Sequence, residues 1–229
     1  MKFHVLTLFP QMILDGINHS IIARAITNNL VEINAVNIRD FSGNKHNKVD
    51  DYPYGGGTGL VMTPMPIYNA YSSLNAGKSR VIYLTPKGEV FNQTKAKEFV
   101  KEKELVLLCG HYEGVDQRVI DEIVTDEISI GDYVLTGGEL AAMVVIDSVS
   151  RLLENVIKEE AILFESFENN LLEYPQYTRP AIFMGREVPD ILLSGNHSLI
   201  DKFRLDNSVK ITKERRPDIF IKYENMKKE

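Results

Sequence analysis

Glycine turns at three places in the sequence carry residue types suited to holding a small ligand against the backbone. The richest stretch, Thr125 to Met143, reads TDEISIGDYVLTGGELAAM and places Gly137 and Gly138 before an apolar segment, among four acidic residues. Two further turns, LTPKG (84–88) and CGHYEG (109–114), follow strand-like segments upstream. A glycine pair before a helix lets backbone amides approach a ligand closely, because no Cβ intervenes. Three such turns predict one ligand held by loops at the ends of neighbouring strands.

The sequence does not match the usual patterns of nucleotide-binding, zinc-binding or cysteine-based catalytic sites. The glycine loop DDYPYGGGTGLVM (50–62) lacks the Lys-Ser/Thr of a P-loop, and no G-x-G-x-x-G follows the first strand. Nucleotide hydrolysis and an ordinary dinucleotide fold are therefore disfavoured, and the loop is either a flexible cover or part of a binding site. Five scattered histidines and one cysteine form no zinc-ligand pattern, so no metal site is predicted. Cys109 ends an apolar strand without a neighbouring base, which is typical of a buried structural residue.

Alternating strand-like and helix-like segments must position these turns. Five short apolar segments, often β-branched, are predicted strands: 3–9, 33–38, 80–84, 105–109 and 127–130. Helical spacing of apolar residues is found over 21–29, 66–74, 94–101, 116–124 and 139–156. This alternation predicts an α/β fold in which a mostly parallel sheet carries helices on both faces.

The chain changes character after the last of these helices. Residues 155–173 show no clean period and are predicted to form a linker. Pro175, Pro180 and Pro189 forbid long helices in the next passage, and helices are predicted again from about 198 to 212 and after Pro217. A helical domain of roughly 50–60 residues is small, so we expect it to pack against a neighbouring domain or a partner.

Composition and charge narrow the choice of compartment and partner. The 229 residues carry a net charge of −6, which argues against bulk coating of nucleic acid. Residues 201–229 nevertheless hold nine Lys and Arg against six acids, which indicates either a local basic surface or a solvated helix end. No apolar run could cross a bilayer, and the first residues lack a signal-peptide cleavage pattern. With one cysteine, these features predict a cytoplasmic protein that does not bind membranes.

Five segments stand in a fixed order along the chain: DDYPYGGGTG, LCGHYEGVDQR, SIGDYVLTGGELAAMVVIDSVSR, SFENNLLEYPQYTRP and VPDILLSGNH. In this set the chain closely resembles the bacterial tRNA guanine-N1 methyltransferases, over essentially its whole length. The resemblance implies an enzyme that transfers a methyl group from S-adenosylmethionine to N1 of the guanine immediately 3′ of the anticodon in tRNA. It also implies a deep trefoil knot in the catalytic domain, and a homodimer whose active site is shared between subunits.

The same resemblance assigns the three glycine turns to S-adenosylmethionine, which the family's knot loops hold in a bent shape. Leu135 and Tyr133 would supply apolar walls, and Glu113 either faces the positive sulfonium or accepts hydrogen bonds from backbone amides. The predicted cofactor-binding residues are Pro86, Gly88, Gly110, Glu113, Gly114, Ile130, Tyr133, Leu135, Gly137 and Gly138.

Methylation of guanine N1 requires a general base beside N1 and a group that stabilises charge on O6. The resemblance places Arg151 at the family's catalytic arginine, and Glu165 (in FESFENN) at the position of its aspartate base. Glutamate keeps the carboxylate but adds a methylene, and a neighbouring Arg151 would favour its proton-accepting form. Glu168 is the alternative base.

Five residues are expected to bind the RNA substrate: His111, Glu173, Asn196, His197 and Arg215. Glu173 corresponds to an acid proposed in the family to contact the guanine edge. His111 stands where arginine is found in relatives, and it either contacts guanine or phosphate or bonds within its own loop. Asn196 and His197 either contact RNA or belong to a helix cap.

We therefore expect a knotted, S-adenosylmethionine-binding catalytic domain over 1–158, a linker over 159–174 and a helical tRNA-binding domain over 175–229. The resemblance leaves Mg²⁺ open as a requirement, with no legible ligand set. One alternative is a related knotted methyltransferase acting on another RNA atom or on ribosomal RNA; ribose methylation would not need the Arg151–Glu165 pair. The other is an RNA-binding module with a vestigial pocket, which the intact Gly88, Gly137, Gly138 and Arg151 disfavour.

Overall fold

The computed structural model describes residues 1–228, apart from the side chains at positions 159 and 160. The chain forms two compact units, Met1–Ile157 and a second one that begins at Lys158. Glu229, the last residue of the predicted helical domain, lies outside the described residues. The catalytic and tRNA-binding roles assigned to the two parts of the chain stay predictions.

A five-stranded parallel sheet forms the centre of the first unit. Two strands outside it, β3 and β4, form a separate antiparallel pair, while the five pair in the order β2-β1-β6-β5-β7. The predicted parallel sheet is therefore confirmed. The strands are β1 (Lys2–Thr7), β2 (Glu32–Asn37), β3 (Asp50–Asp51), β4 (Val61–Met62), β5 (Arg80–Val90), β6 (Glu104–Cys109) and β7 (Asp126–Ser129).

Helices cover both faces of this sheet, as predicted. They are α1 (Pro10–Ile17), α2 (Ser20–Thr27), α3 (Pro64–Ser73), α4 (Gln93–Phe99), α5 (Gln117–Ile123) and α6 (Glu139–Ser150). Side chains alternate between faces along a strand, so Phe3 and Val5 pack in a core with α1 and α6, whereas Leu6 packs in a second core with α3 and α5. Helix α1 is absent from the predicted elements; it begins at Pro10, whose fixed φ suits the first helical position.

Strand β5 runs well past its predicted end because its second half follows β7. Leu84 and Glu89 both lie opposite Ile128, so the intervening residues form an irregularity in the register. Gly88 permits this close approach, because a Cβ there would lie 2.3 Å from backbone atoms of Glu127 and Ile128. The irregularity leaves residues 85–87 at the carboxyl edge of the sheet.

The glycine loop between β3 and β4 is attached to the turn that follows β6. The Met62 amide donates to the Gly114 carbonyl at 2.9 Å, and the Glu113 amide donates to the Leu60 carbonyl at 3.0 Å. Tyr52 and Tyr54 in the loop are largely exposed. The loop is thus anchored at its base and open at its tip.

The second unit is mainly helical. Its elements are α7 (Glu159–Ile162), the hairpin of β8 (Ile182–Phe183) and β9 (Arg186–Glu187), α8 (Asp190–Leu193), α9 (His197–Arg215) and α10 (Pro217–Met226). The segment predicted as a linker is folded against this unit. The Leu172 amide donates to Thr212 Oγ1 at 2.8 Å, and the Glu173 amide donates to Ser166 Oγ at 3.0 Å.

None of the described helices has both the length and the apolar composition needed to cross a membrane. The trefoil knot implied by the resemblance stays a prediction.

Arg80 joins the two strands whose loops meet at the carboxyl edge of the sheet. Its guanidinium on β5 donates twice to Asp126 on β7, at 2.6 and 3.1 Å, and lies 5.0 Å from the centre of the Phe99 ring. Burial alone would raise the pKa of Asp126, but hydrogen bonds from Arg80 and Thr125 hold it below its ordinary value. The pair therefore stabilises the fold when the carboxylate is ionised.

We expect Arg80→Met to lower the free energy of unfolding by about 2–3 kcal/mol at pH 7, because it leaves a half-buried carboxylate unpaired. The folded-state pKa of Asp126 is depressed, so this contribution is present above its unfolded pKa of roughly 4 and is lost as pH falls through the folded value. Urea unfolding at pH 7 and in acid measures both. Arg118→Met is the matched control, since Arg118 makes the same paired contact with Asp116 but is 71% exposed. Equal losses in the two variants would contradict the argument.

Candidate active site

A cavity of about 420 Å³ opens at the carboxyl ends of β5, β6 and β7. The three glycine turns that the sequence singles out surround it, and nine of the ten predicted cofactor-binding residues line it. The tenth, Gly88, packs against the backbone of β7 and is not part of the lining. The nine are Pro86, Gly110, Glu113, Gly114, Ile130, Tyr133, Leu135, Gly137 and Gly138. Their role in binding a cofactor stays a prediction.

Gly138 allows the start of α6 to sit directly on the end of β6. Its amide donates to the Gly110 carbonyl at 3.0 Å, and a Cβ at this position would lie 2.7 Å from Cys109 Cα. On its other side Gly110 faces a side chain, and a Cβ there would lie 3.0 Å from the Tyr83 ring. At Gly138 the two turns therefore meet backbone to backbone, and a side chain there would meet the Cys109 backbone.

Gly137 has close protein neighbours as well as a place in the cavity lining. A Cβ at Gly137 would lie 2.2 Å from His111 Cε1 and 2.7 Å from Glu139 Oε2. His111 and Gly137 also form an isolated antiparallel bridge. The missing Cβ of Gly137 thus leaves space for a side-chain pair of this protein, and its predicted role of making room for a ligand stays a prediction.

His111 and Glu139 form a hydrogen-bonded pair at the back of the cavity. His111 Nε2 lies 2.8 Å from both carboxylate oxygens of Glu139, whose side chain is only 2% exposed. Thr7 Oγ1 also donates to Glu139 Oε1, at 2.5 Å. The His111 ring therefore bonds to α6 and not within its own loop, and a contact with RNA stays a prediction. Glu139 is absent from the predicted site residues.

Two further acidic groups reach the cavity. Glu113 is exposed and leans on the glycine loop, since a Cβ at Gly59 would lie 2.5 Å from Glu113 Oε1. Glu127, which the sequence did not indicate, lies on β7 opposite Tyr83 on β5. Burial raises the pKa of the Tyr83 phenol, so this group stays neutral and available as a hydrogen-bond donor. The cavity can therefore offer negative charge to a cationic ligand from two sides.

The third turn supplies the apolar wall. Tyr133 folds over Gly131, where a Cβ would lie 2.6 Å from the ring, and its hydroxyl donates to the Ile130 carbonyl at 3.3 Å. Gly131 has φ +146°, a conformation that side chains rarely adopt. Leu135 and Ile130 complete the lining here. Cys109 lies beneath the turns, and burial, followed by the charge of Glu139, raises the pKa of its thiol, in keeping with a structural role.

The predicted catalytic residues lie in different units. Arg151 follows α6 in the first unit and is half-buried, with its amide donating to the Asp147 carbonyl. Glu165 follows α7 in the second unit, directly before the short loop that the Ser166–Glu173 hydrogen bond closes, and its carbonyl accepts from the amide of Glu168 within that loop. The structure therefore places Glu165, Glu168 and Glu173 together, and a pairing of Arg151 with Glu165 stays a prediction.

The remaining predicted residues lie on α9. Asn196 Oδ1 accepts from the Leu199 amide at 3.3 Å, so this side chain caps the helix. His197 begins the helix and Arg215 ends it, and both are exposed. Arg216, next in the sequence, is held by Asp218 through hydrogen bonds of 2.7 and 3.0 Å.

A second cavity, of about 470 Å³, lies within the second unit and was not predicted. Tyr174 and Tyr177 line it together with Arg179 and Arg204, and the Arg204 guanidinium lies 5.0 Å from the centre of the Tyr174 ring. Aromatic rings and guanidinium groups of this kind suit unstacked bases and phosphates. Among the described residues 1–228, no three acidic, histidine or cysteine side chains converge as a metal site would require.

Comparison with known proteins gives one consistent answer. A family described as "tRNA (Guanine-1)-methyltransferase TrmD" matches residues 1–222. Three relatives named "tRNA (guanine-N(1)-)-methyltransferase" are similar over nearly their whole lengths. The protein from Clostridioides difficile is 56% identical over 97% of this chain and 98% of its own. That from Caldicellulosiruptor saccharolyticus is 58% identical over 100% and 94%, and that from Ruminiclostridium cellulolyticum is 56% identical over 98% and 98%.

We expect Gly138→Ala to cost about 2–4 kcal/mol of unfolding free energy, because the new methyl group would meet the Cys109 backbone, which cannot rotate away. The φ of Gly138 is −81°, so the substitution introduces no backbone strain of its own. Gly77→Ala is the control, since Gly77 has φ +58° and nothing within 4 Å of its missing Cβ. That variant should lose only about 1 kcal/mol. Urea titration of both proteins measures the difference, and a loss at Gly138 no larger than at Gly77 would refute the backbone contact.

Proposed function

The chain belongs to the family of tRNA (guanine-1)-methyltransferases, and on that premise we propose how its two units carry out the reaction. It is an enzyme that transfers a methyl group to N1 of a guanine in tRNA. We take the methyl donor to be S-adenosylmethionine and the target to be the guanine immediately 3′ of the anticodon. The tRNA substrate and the buried, unreactive thiol of Cys109 support a cytoplasmic location.

The cavity at the edge of the sheet is the observation that carries this proposal. Its volume of about 420 Å³ falls within the range of small-molecule sites. The lining glycines Gly110, Gly114 and Gly138 leave space for an adenine beside the main chain, and Leu135 with Ile130 suits its faces. A sulfonium cation would be favoured by Glu113 or Glu127. These residues would bind and orient the donor, whose own chemistry supplies the methyl group.

The acceptor side of the reaction needs a base, because guanine N1 carries a proton at neutral pH. Glu165 is our candidate for that base, and Arg151 for the group that stabilises negative charge developing on O6. Glu165 lies directly before the loop that the Ser166–Glu173 hydrogen bond closes, and its carbonyl accepts from the Glu168 amide at 3.2 Å, which supports a fixed local backbone. Glu173 closes the same loop and is a candidate for contacting the guanine edge.

A second copy of the chain is the partner that the surface of the first unit fits best. Leu140 and Val144 lie one turn apart on α6 and are 46% and 42% exposed. Phe9, the N-cap of α1, and Met12 in its first turn are 49% and 42% exposed. An apolar face of this kind can be covered by the same face of another subunit. We propose a homodimer in which Arg151 and the donor cavity of one subunit meet Glu165 of the other.

The second unit would hold the tRNA. The cavity lined by Tyr174, Tyr177 and Arg204 suits bases and phosphates of single-stranded RNA. Arg215 is exposed at the last turn of α9, where it can reach a phosphate, and His197 is exposed at the first turn. Asn196 is already engaged as a cap, so an RNA contact from its side chain would compete with that bond. We assign no ligands to Mg²⁺.

Labelled S-adenosylmethionine tests the reaction directly. The wild-type protein should transfer its methyl group to a tRNA transcript with guanine 3′ of the anticodon, and digestion should release 1-methylguanosine. A transcript carrying adenosine at that position should gain no label. Label on a ribose or on another base would favour a related RNA methyltransferase. Binding of the donor without any transfer would indicate a vestigial pocket.

Glu165→Gln keeps the size of the side chain but removes its ability to accept a proton. We expect the single-turnover rate to fall by roughly 10²–10⁴, with the dissociation constant for S-adenosylmethionine almost unchanged. Glu168→Gln, on the same loop, is the matched control and should retain most of the rate. The reverse result would make Glu168 the base, and a normal rate in both variants would assign proton removal to water or to the RNA.

Arg215 and Arg216 should contribute differently to tRNA binding, because Arg215 is exposed whereas Arg216 is hydrogen-bonded to Asp218. Arg215→Gln should weaken tRNA binding and reduce the slope of log affinity against log salt by about 0.7–0.9, the value for one released counterion. Arg216→Gln should change the slope less, since its guanidinium is already occupied. Filter binding at several salt concentrations measures both. An unchanged slope for Arg215→Gln would mean that this residue is only the solvated end of a helix.

A further inference from the structure

The carboxylate of Glu139 is buried behind the donor cavity and contacts His111, which lines it. Glu139 is the first residue of α6, and its side chain is 2% exposed. Its two oxygens both accept from His111 Nε2 at 2.8 Å, and Oε1 also accepts from Thr7 Oγ1 at 2.5 Å. Thr7 Oγ1 in turn accepts from the Phe9 amide at 2.9 Å. The carboxylate thus connects the end of β1, the turn after β6 and the start of α6.

Such a group is costly unless its surroundings are arranged for it. The free-energy cost of removing an ionised carboxylate from water must be offset by hydrogen bonds and opposite charge. Here it lies at the amino end of a twelve-residue helix, where the helix dipole favours negative charge. The Arg80–Asp126 contact joins β5 and β7 at the amino ends of these strands, so it does not act on the loops around the cavity. Glu139 does reach the cavity, because it contacts His111, which lines it.

The contact determines which nitrogen of His111 is available to a substrate. A carboxylate only accepts hydrogen bonds, so Nε2 must carry a proton, and Nδ1 is left as the other polar atom of the ring. Within residues 1–228, Nδ1 makes no hydrogen bond to protein. The ring is restrained on other sides as well, by Phe9 at a centroid distance of 5.1 Å and by the backbone of Gly137. His111 itself lines the cavity.

We propose that Glu139 is a positioning residue for methyl transfer, which fixes the His111 imidazole so that Nδ1 is presented to the substrate guanine. This rests on the proposed function of the cavity. Fixing a ring nitrogen in advance lowers the entropic cost of orienting the guanine beside the donor. It also accounts for Gly137: the glycine leaves the space that the His111–Glu139 pair fills. Glu139 touches no reacting atom itself and acts only through His111.

The first test is a set of rate measurements on Glu139→Gln, His111→Ala and the double variant. Glutamine keeps the shape and can still accept from Thr7, but it removes the negative charge and can present its amide NH₂ to the ring. We expect the single-turnover rate of Glu139→Gln to fall 10- to 100-fold, with donor affinity changed less than threefold. In the His111→Ala background, Glu139→Gln should have no further effect on the rate. Equal effects in both backgrounds would overturn the proposal.

A second variant distinguishes an effect of Glu139 on methyl transfer from an effect on stability alone. Asp126→Asn weakens another buried carboxylate contact of the same unit, away from the cavity, and should lower the melting temperature while leaving the rate per folded molecule unchanged. If the rate of Glu139→Gln falls only in proportion to its loss of folded protein, Glu139 serves the fold alone and the proposal fails.

Nitrogen NMR of ¹⁵N-histidine-labelled protein supplies a readout that does not depend on activity. The chain has five histidines, and the His111 signals are identified by their loss in His111→Ala. Nε2 of His111 should be protonated in the wild-type protein, and Glu139→Gln should change its proton occupancy or its exchange with water. An unprotonated Nε2 in the wild type would overturn the proposal. If the wild type transfers no methyl group to tRNA, the proposed function fails, and this spectrum still reports on the pair.

Discussion

The close approach of three turns at the carboxyl edge of the sheet is the constraint on which the rest of the site depends. The amide of Gly138 bonds to the carbonyl of Gly110, and there is no space for a Cβ between α6 and Cys109. Gly88 permits a similar approach of β5 to β7. Because each contact is made by backbone atoms, the cavity is shaped by main-chain geometry. Its walls need little reorganisation before a ligand enters.

The packing of these turns also determines which carboxylates are buried and which reach the cavity. Bringing the start of α6 onto the end of β6 puts the carboxylate of Glu139 beside His111 and Thr7, in a position that water cannot reach. The same arrangement leaves Glu113 and Glu127 on the open side of the cavity. Two of the acids near the glycine pair therefore have different surroundings: Glu127 lines the cavity, whereas Glu139 is buried behind it.

Local patterns in the sequence predicted the five strands of the sheet, most helices and the three glycine turns, because these depend on hydrophobic period and on residues near in sequence. The short strands β3, β4, β8 and β9 were not predicted. The same patterns did not predict the role of Glu139. Its partner Thr7 is 132 residues away, and the helical pattern of 139–156 makes residue 139 an ordinary first turn. The second cavity escaped for the same reason, since Tyr174 and Arg204 meet only after α9 has packed on the proline-rich segment. The sequence indicated Gly137, but it could not show that His111 and Glu139 occupy the space beside this glycine.

On the proposed mechanism, the division of the chain into two units has a chemical consequence. The donor cavity and Arg151 belong to the sheet-based unit, while Glu165 belongs to the helical unit, directly before a loop closed by the Ser166–Glu173 hydrogen bond. The base and the donor cavity therefore come from different compact units of the chain. Proton removal then depends on assembly of both parts around the guanine, so the donor is used only when tRNA has brought its base into the site.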